Sequence, residues 1–181
     1  KQSTATVETV VQTIDESIWD IFSNPRTNKP IYFESGQTPL IYDPMSILAY
    51  GFASCTGLSI FLVNLLRTVG VPARLAGTPA WNSKEENGNH SWIEFYGSDS
   101  KWHIMESLPA SGGKKDVDLW DPCQWWFCNE GRVADTEFYA ARLTRDGDGN
   151  STTFPLAWDL QNGDIVGESR TDFMRSLCAQ C

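Results

Sequence analysis

Histidine is scarce in this chain. Only His90 and His103 occur, which argues against a histidine-based metal centre. Apolar runs are short as well, and none approaches the roughly 20 residues that a membrane-spanning helix needs. Basic charge is the minority: 14 Lys and Arg stand against 23 Asp and Glu, a formal net charge of −9. That balance excludes the usual nucleic-acid binder and the polybasic membrane module. No G-x-S-x-G, P-loop or H-E-x-x-H pattern occurs, no internal repeat is visible, and nothing calls for a cofactor. What is present suits one ordinary folded domain of 181 residues, with 41% hydrophobic and 20% charged residues.

The five cysteines are an odd number and are unevenly placed. Cys55 stands alone, while Cys123, Cys128, Cys178 and Cys181 form two close couples in the last third. Four clustered cysteines in a chain of this size fit two disulfides and an oxidising compartment, so the expected location is secreted, periplasmic or cell-surface. The pairing is open among three possibilities, and the C-x4-C and C-x2-C spacings also admit a structural zinc. The chain begins at Lys1, without an initiator Met, so a processed product or an excised domain is expected. Asn89-His90-Ser91 and Asn150-Ser151-Thr152 match the glycosylation tripeptide, which also arises often by chance.

Periodicity predicts an α+β fold. Val7, Val10, Val11, Ile14, Ile18, Ile21 and Phe22 recur at helical steps, so residues 6–22 read as an amphipathic helix filling an N-terminal segment, 1–24, and stopped by Asn24-Pro25. Residues 25–44 carry four prolines and read as an irregular connection. A short helix is expected at Met45 to Tyr50. From Thr56 to Val69, Leu58, Phe61, Leu62, Leu65 and Val69 form the stripe of a central, buried helix. Gly70 caps it and Pro72 forbids its continuation. Ala73 to Gly77 should be a strand, and residues 90–96 and 101–106 a β-hairpin. Residues 45–109 thus form a core, and 110–181 a turn-rich, Cys-containing extension packed on it as one domain. Strands are expected there at Glu137 to Leu143 and Phe154 to Trp158.

Cys55 falls at the first turn of the buried helix, where backbone N–H groups and the positive dipole end favour a thiolate nucleophile. Ser54 and Thr56 beside it are natural capping residues. His90 opens the first hairpin strand and Glu106 closes the second. With a three-residue loop, Gly97 to Asp99, His90 falls opposite Glu106, and a carboxylate there can orient the imidazole toward a thiol. A four-residue loop would put the two on opposite faces. His103 lies mid-strand on the other face and reads as structural. Trp81 and Trp92 are candidate substrate-contacting walls of a cleft, and the Cys55 backbone N–H is a natural oxyanion donor. Trp120, Trp125 and Trp126 read as core or a lid. Arg67 and Arg74 read as salt bridges pinning helix to strand. Asp146, Asp148 and Asn150 imitate the start of a calcium loop. Ser151 and Ala157 then occupy the positions where such a loop needs Gly and Glu, and a tight hairpin turn explains the run equally well.

The stretches ASCTGLSIFLVNLLRTVGVPARLAGTP, GNHSWIEFY and KWHIMES together resemble the transglutaminase-like core, a relative of the papain fold. The signature is a Cys opening a helix that ends in Arg67, Gly70, Val71, Pro72, Ala73 and Arg74. His90, Trp92 and Glu94 follow, then a strand bearing Trp102 and ending in an acid. The resemblance spans about residues 48–109 and implies a Cys–His–acid triad of Cys55, His90 and Glu106. The family's acid is usually Asp, so Glu106 is a departure; Asp116, Asp118 and Asp121 are nearby alternatives. The implied activity is attack on an amide carbonyl to give a thioester, resolved by water more readily than by an amine, with a protein or peptide as substrate. The competing reading is a catalytically silent module that grips peptides or glycans on the same fold. A third reading is a disulfide-stapled structural domain.

Overall fold

A computed structural model describes residues 5–24, 26–112, 121–143 and 152–181. It is an α+β structure whose six-stranded sheet runs in the order β5-β4-β3-β6-β8-β7. The chain forms two compact units, Lys1–Ala73 with Trp92–Trp120, and Arg74–Ser91 with Asp121–Cys181.

In the first unit, α1 (Val7–Ile21) begins at Thr6, whose hydroxyl accepts from the Thr9 N–H. Helix α2 (Pro44–Tyr50) has Pro44 at its first turn and Asp43 as its cap, accepting from the Met45 and Ser46 N–H groups. Helix α3 (Cys55–Thr68) is the centre of the core. Its Leu58, Leu62 and Leu66 are fully buried, each contributing about 1.5–3 kcal/mol. Trp19 and Phe22 of α1 pack on Phe61 of α3, with ring centroids 5.7 and 6.0 Å apart. Gly57 is a close-approach position, because a Cβ there would lie 2.7 Å from Ala53 Cβ and 2.9 Å from the Ile41 carbonyl oxygen. The helix ends as expected, at Gly70 with φ +86° and its N–H on the Arg67 carbonyl. Strands β1 (Tyr32–Phe33) and β2 (Phe52–Ala53) form a small parallel pair inside the irregular region.

In the second unit, β3 (Ala73–Thr78) runs antiparallel to β6 (Tyr139–Ala141). Strand β8 (Val166–Ser169) pairs with β6 and with β7 (Thr152–Thr153). The expected strand from Phe154 to Trp158 is absent: β7 stops at Thr153, and Pro155, lacking an N–H, cannot extend a ladder. Helices α4 (Glu130–Val133) and α5 (Thr171–Cys178) also lie where only turns were expected. Two disulfides, Cys123–Cys181 and Cys128–Cys178, tie them together. All four clustered cysteines are therefore used in bridges, and the zinc alternative falls away. Arg74 forms an ion pair with Glu168 of β8 at 2.7 Å, so it links two strands. Arg67 forms a hydrogen bond from Nε to the Ala73 carbonyl at 2.8 Å, so it pins helix end to strand through a main-chain oxygen.

Closing a loop of 50 residues by Cys128–Cys178 removes denatured-state entropy worth about 4 kcal/mol in the chain-entropy model. Replacing both residues by Ala should lower the unfolding free energy by up to about that amount. Equilibrium denaturant unfolding followed by tryptophan fluorescence measures it, and an unchanged midpoint would contradict the bridge.

Candidate active site

Cys55 is the first residue of α3, is 8% exposed and takes part in no disulfide. Ser54 precedes it in extended backbone, and its carbonyl accepts the Leu58 N–H at 2.9 Å. Contrary to expectation, the Ser54 hydroxyl does not cap the helix and instead pairs with the Thr38 hydroxyl. The first turn, Cys55 to Ser59, is buried throughout. A negative charge at that end is favoured by the dipole, in surroundings with little water to screen it.

His90 opens β4 (His90–Tyr96) and is 5% exposed. Its ring stacks on Trp81 at 6.3 Å, and Trp126 and Phe127 stand edge-on at 5.2 and 5.3 Å. The Arg132 guanidinium lies over Trp126 at 4.8 Å, holding that indole in place by a cation–π contact. Strand β3 approaches closely here, since a Cβ on Gly77 would lie 2.4 Å from the His90 carbonyl oxygen. Only glycine permits that spacing. Trp81 and Trp92 are 2% and 1% exposed, so neither presents an open face to a ligand. Trp125 is buried and stacks on Phe127, whereas Trp126 is half exposed.

Glu106 follows β5 (Trp102–Met105) directly and is 2% exposed. The hairpin register differs from the expected one. Tyr96 pairs with Trp102, and the loop is five residues, closed by Gly97 N–H on the Lys101 carbonyl at 2.8 Å. Asp99 explains the wider loop: its Oδ1 accepts from the Lys101 N–H at 3.1 Å and from His103 Nε2 at 2.8 Å. Continued one step past Met105, this register sets Glu106 across from Trp92 instead of residue 90. Because the slip is two residues, alternation keeps positions 90, 92 and 106 on one face.

His103 has the structural role expected of it, stacked on Phe95 at 5.4 Å. Glu8, Asp99 and His103 bring their ligand atoms within 4.8 Å of one another. Each is already bonded: Glu8 accepts from the Ser98 N–H and hydroxyl, and Asp99 from His103. Backbone hydrogen bonds, its own and then that of Ser98, hold Glu8 below the ordinary carboxylate range, and the His103 bond does the same for Asp99. The cluster anchors the start of α1 to the hairpin loop. Asp121 caps the turn at Cys123, while Asp116, Asp118 and the run Asp146, Asp148 and Asn150 lie outside the described residues.

A family model described as the transglutaminase-like superfamily core matches residues 4–107, more than half of the chain. The chain belongs to the transglutaminase-like superfamily. The match contains Cys55, His90 and Glu106 and also takes in α1. Among solved structures, Legionella pneumophila LapG is similar at 19% identity and TM-score 0.40, over 74% of this chain and 63% of that one. Its EGTA-treated form is similar at 18% identity and TM-score 0.42, over 75% and 63%. The chain thus spans less than two thirds of the LapG chains it matches. No curated protein matches the sequence. No helix among the described residues is long and apolar enough to cross a membrane.

One buried acid in this transglutaminase-like core is not among the candidates drawn from the sequence. Asp15 of α1 is fully buried, accepting from Trp19 Nε1 at 3.0 Å and, through both oxygens, from the Leu108 N–H at 3.1 and 3.0 Å. Burial pushes its carboxyl up to about 7, against the pull of the Leu108 and Trp19 hydrogen bonds and with Glu16 and Glu106 adding to the rise. The folded chain therefore holds this proton more tightly than the unfolded one. The stabilisation is complete below about 4 and is lost as pH rises to about 7. Thermal unfolding of wild type and Asp15→Asn across pH 4 to 8 should show the wild type losing ground relative to the variant through that window, then running parallel above it. A constant difference would mean that Asp15 stays ionised throughout.

Proposed function

We propose that this protein is a cysteine enzyme that cleaves amide bonds in a protein or peptide through a thioester on Cys55. The observation that carries the reading is the state of Cys55: the one cysteine outside the disulfides stands at the N-terminus of the buried central helix. Cys55 Sγ attacks the carbonyl carbon, His90 takes the thiol proton and delivers it to the departing amine, and the C–N bond breaks. Water then adds to the thioester, the C–S bond breaks, and the acid product leaves with the thiol restored. The Cys55 backbone N–H, at the positive end of α3, is the natural donor to the developing oxyanion.

Glu106 serves as the acid that orients His90. Diagonal neighbours across an antiparallel ladder have Cβ atoms roughly 7–8 Å apart, against about 5 Å for directly opposed residues. Glu106 has one methylene more of reach than the Asp that is usual in the family. Water is favoured over an amine as the acceptor because nothing in the chain singles out an amine. The two disulfides favour an extracytoplasmic setting.

Iodoacetamide labelling of the unreduced protein, located by peptide mass, tests this reading. Cys55 should react with a pH profile extending below that of an ordinary thiol. His90→Ala should lower its rate at pH 7 by about 100-fold, the lower bound for a positioned acid–base group. Glu106→Gln should lower it less. An ordinary thiol profile that is indifferent to His90→Ala would leave the silent peptide- or glycan-binding module as the better account.

A further inference from the structure

We propose that Asp15 is a positioning residue for Glu106, holding the chain just after β5 so that the acid stands at a fixed height and orientation. The inference rests on reading Glu106 as the acid of the triad. It deepens that reading by adding a residue from the N-terminal helix, 91 positions away in the chain.

The geometry is that of a clamp. Residues 106, 107 and 108 are all buried; Leu108 is apolar, and the Ser107 hydroxyl has no hydrogen-bond partner. The backbone just after Glu106 is pinned at two points. The Ser107 carbonyl accepts from the Ala110 and Ser111 N–H groups at 2.9 and 3.1 Å, closing a turn. The Leu108 N–H donates to both oxygens of Asp15. Trp19 Nε1, one helical turn along α1, fixes the carboxylate from the other side at 3.0 Å, and its ring packs against Phe61 of α3. The helix that begins at Cys55 is thereby connected, through Phe61, Trp19 and Asp15, to the segment that carries Glu106.

A hydrophobic residue would bury more cheaply at position 15, since a desolvated carboxylate needs compensating bonds. Its presence makes sense if the acceptor is required at Leu108. The ionisable groups that act on it are Glu16 on its own helix and Glu106 on the segment it holds. Helix α3 carries ionisable residues only at Cys55 and Arg67, near its two ends. A pH profile of the site that changes when Asp15 is replaced separates a positioning role from a merely structural one.

The test is the rate of Cys55 alkylation by iodoacetamide from pH 5 to 9 in wild type, Asp15→Asn, Asp15→Ala, Glu106→Gln and both Asp15/Glu106 double variants, with folding checked by near-UV circular dichroism. Asp15→Ala should lower the rate at pH 7 by about tenfold, the size expected of one coupled contact. Asp15→Asn keeps an acceptor for Leu108 and should retain most of the rate, but lose an inflection near neutral pH that wild type shows. In the Glu106→Gln background neither Asp15 substitution should matter further. A folded Asp15→Ala with the wild-type rate and profile would overturn the proposal, as would losses that simply multiply in the double variants. Should Asp15→Ala fail to fold, the Asp15→Asn profile and its Glu106→Gln double decide alone. If His90→Ala leaves the Cys55 rate untouched, the active-site reading itself has failed. A His90-dependent rate that ignores Asp15 overturns only this inference.

Discussion

The first turn of α3 lies inside the core, and much else follows from that constraint. A helix start has four N–H groups without intrahelical partners, and most helices keep that end at the surface, where water or a capping side chain serves them. Here Cys55, Thr56, Gly57, Leu58 and Ser59 are all buried, and the adjacent Ser54 hydroxyl is engaged with Thr38. The end of the helix that favours negative charge is thus set where the dielectric is low and electrostatic effects are large. Seating it there takes glycine at position 57, to admit Ala53 and the Ile41 carbonyl. It also takes the fully buried Leu58, Leu62 and Leu66 stripe to drive the helix inward. A thiol is the side chain for which such a turn is chemically useful, and Cys55 occupies it.

The second unit solves a different problem. Its strands are two to six residues long, and its helices α4 and α5 have four and eight. Elements that short bury too little to hold themselves, so the unit relies on two cross-links and an aromatic cluster. Trp81, Phe127 and Phe138 are among its buried rings, as are Trp125 and Phe154, and the Arg132 guanidinium lies over the half-exposed Trp126. The His90 ring packs against Trp81, Trp126 and Phe127 of this cluster. Part of the aromatic wealth of the composition thus surrounds one imidazole.

Legibility in the sequence follows the range of the interactions concerned. Helices α1 and α3 are long, periodic and ended by Pro or Gly, so their bounds can be read to within a residue or two. Strands β4 and β5 are legible from their aromatic and Ile-bearing runs, and β3 from its place just after the Gly70 and Pro72 stop. The pairing of β4 with β5 is not, because it depends on Asp99 bonding both Lys101 and His103, and no propensity encodes that closure. The tail departs from its sequence pattern for a similar reason: β7 is a two-residue edge strand held by β8, their pairing is decided by long-range contacts, and α5 is only eight residues, secured by Cys178. Asp15 does carry a signal. Val11, Asp15 and Trp19 lie four apart on one stripe of α1, so the helical periodicity alone sets a carboxylate on the core face.

Cysteine chemistry divides along the same line as the packing. Bridges form and exchange by thiolate attack on an accessible sulfur, so a nucleophilic thiol in an oxidising compartment is in danger of being consumed by its neighbours. The four bridged cysteines are all in the second unit, and the fifth is buried in the core of the first. Pairing within one unit uses up its own partners, while burial at 8% exposure limits the access of any other disulfide to Cys55. The stapled unit must contain an even number, and the thiol that remains is protected by the same burial that sets it at the helix end.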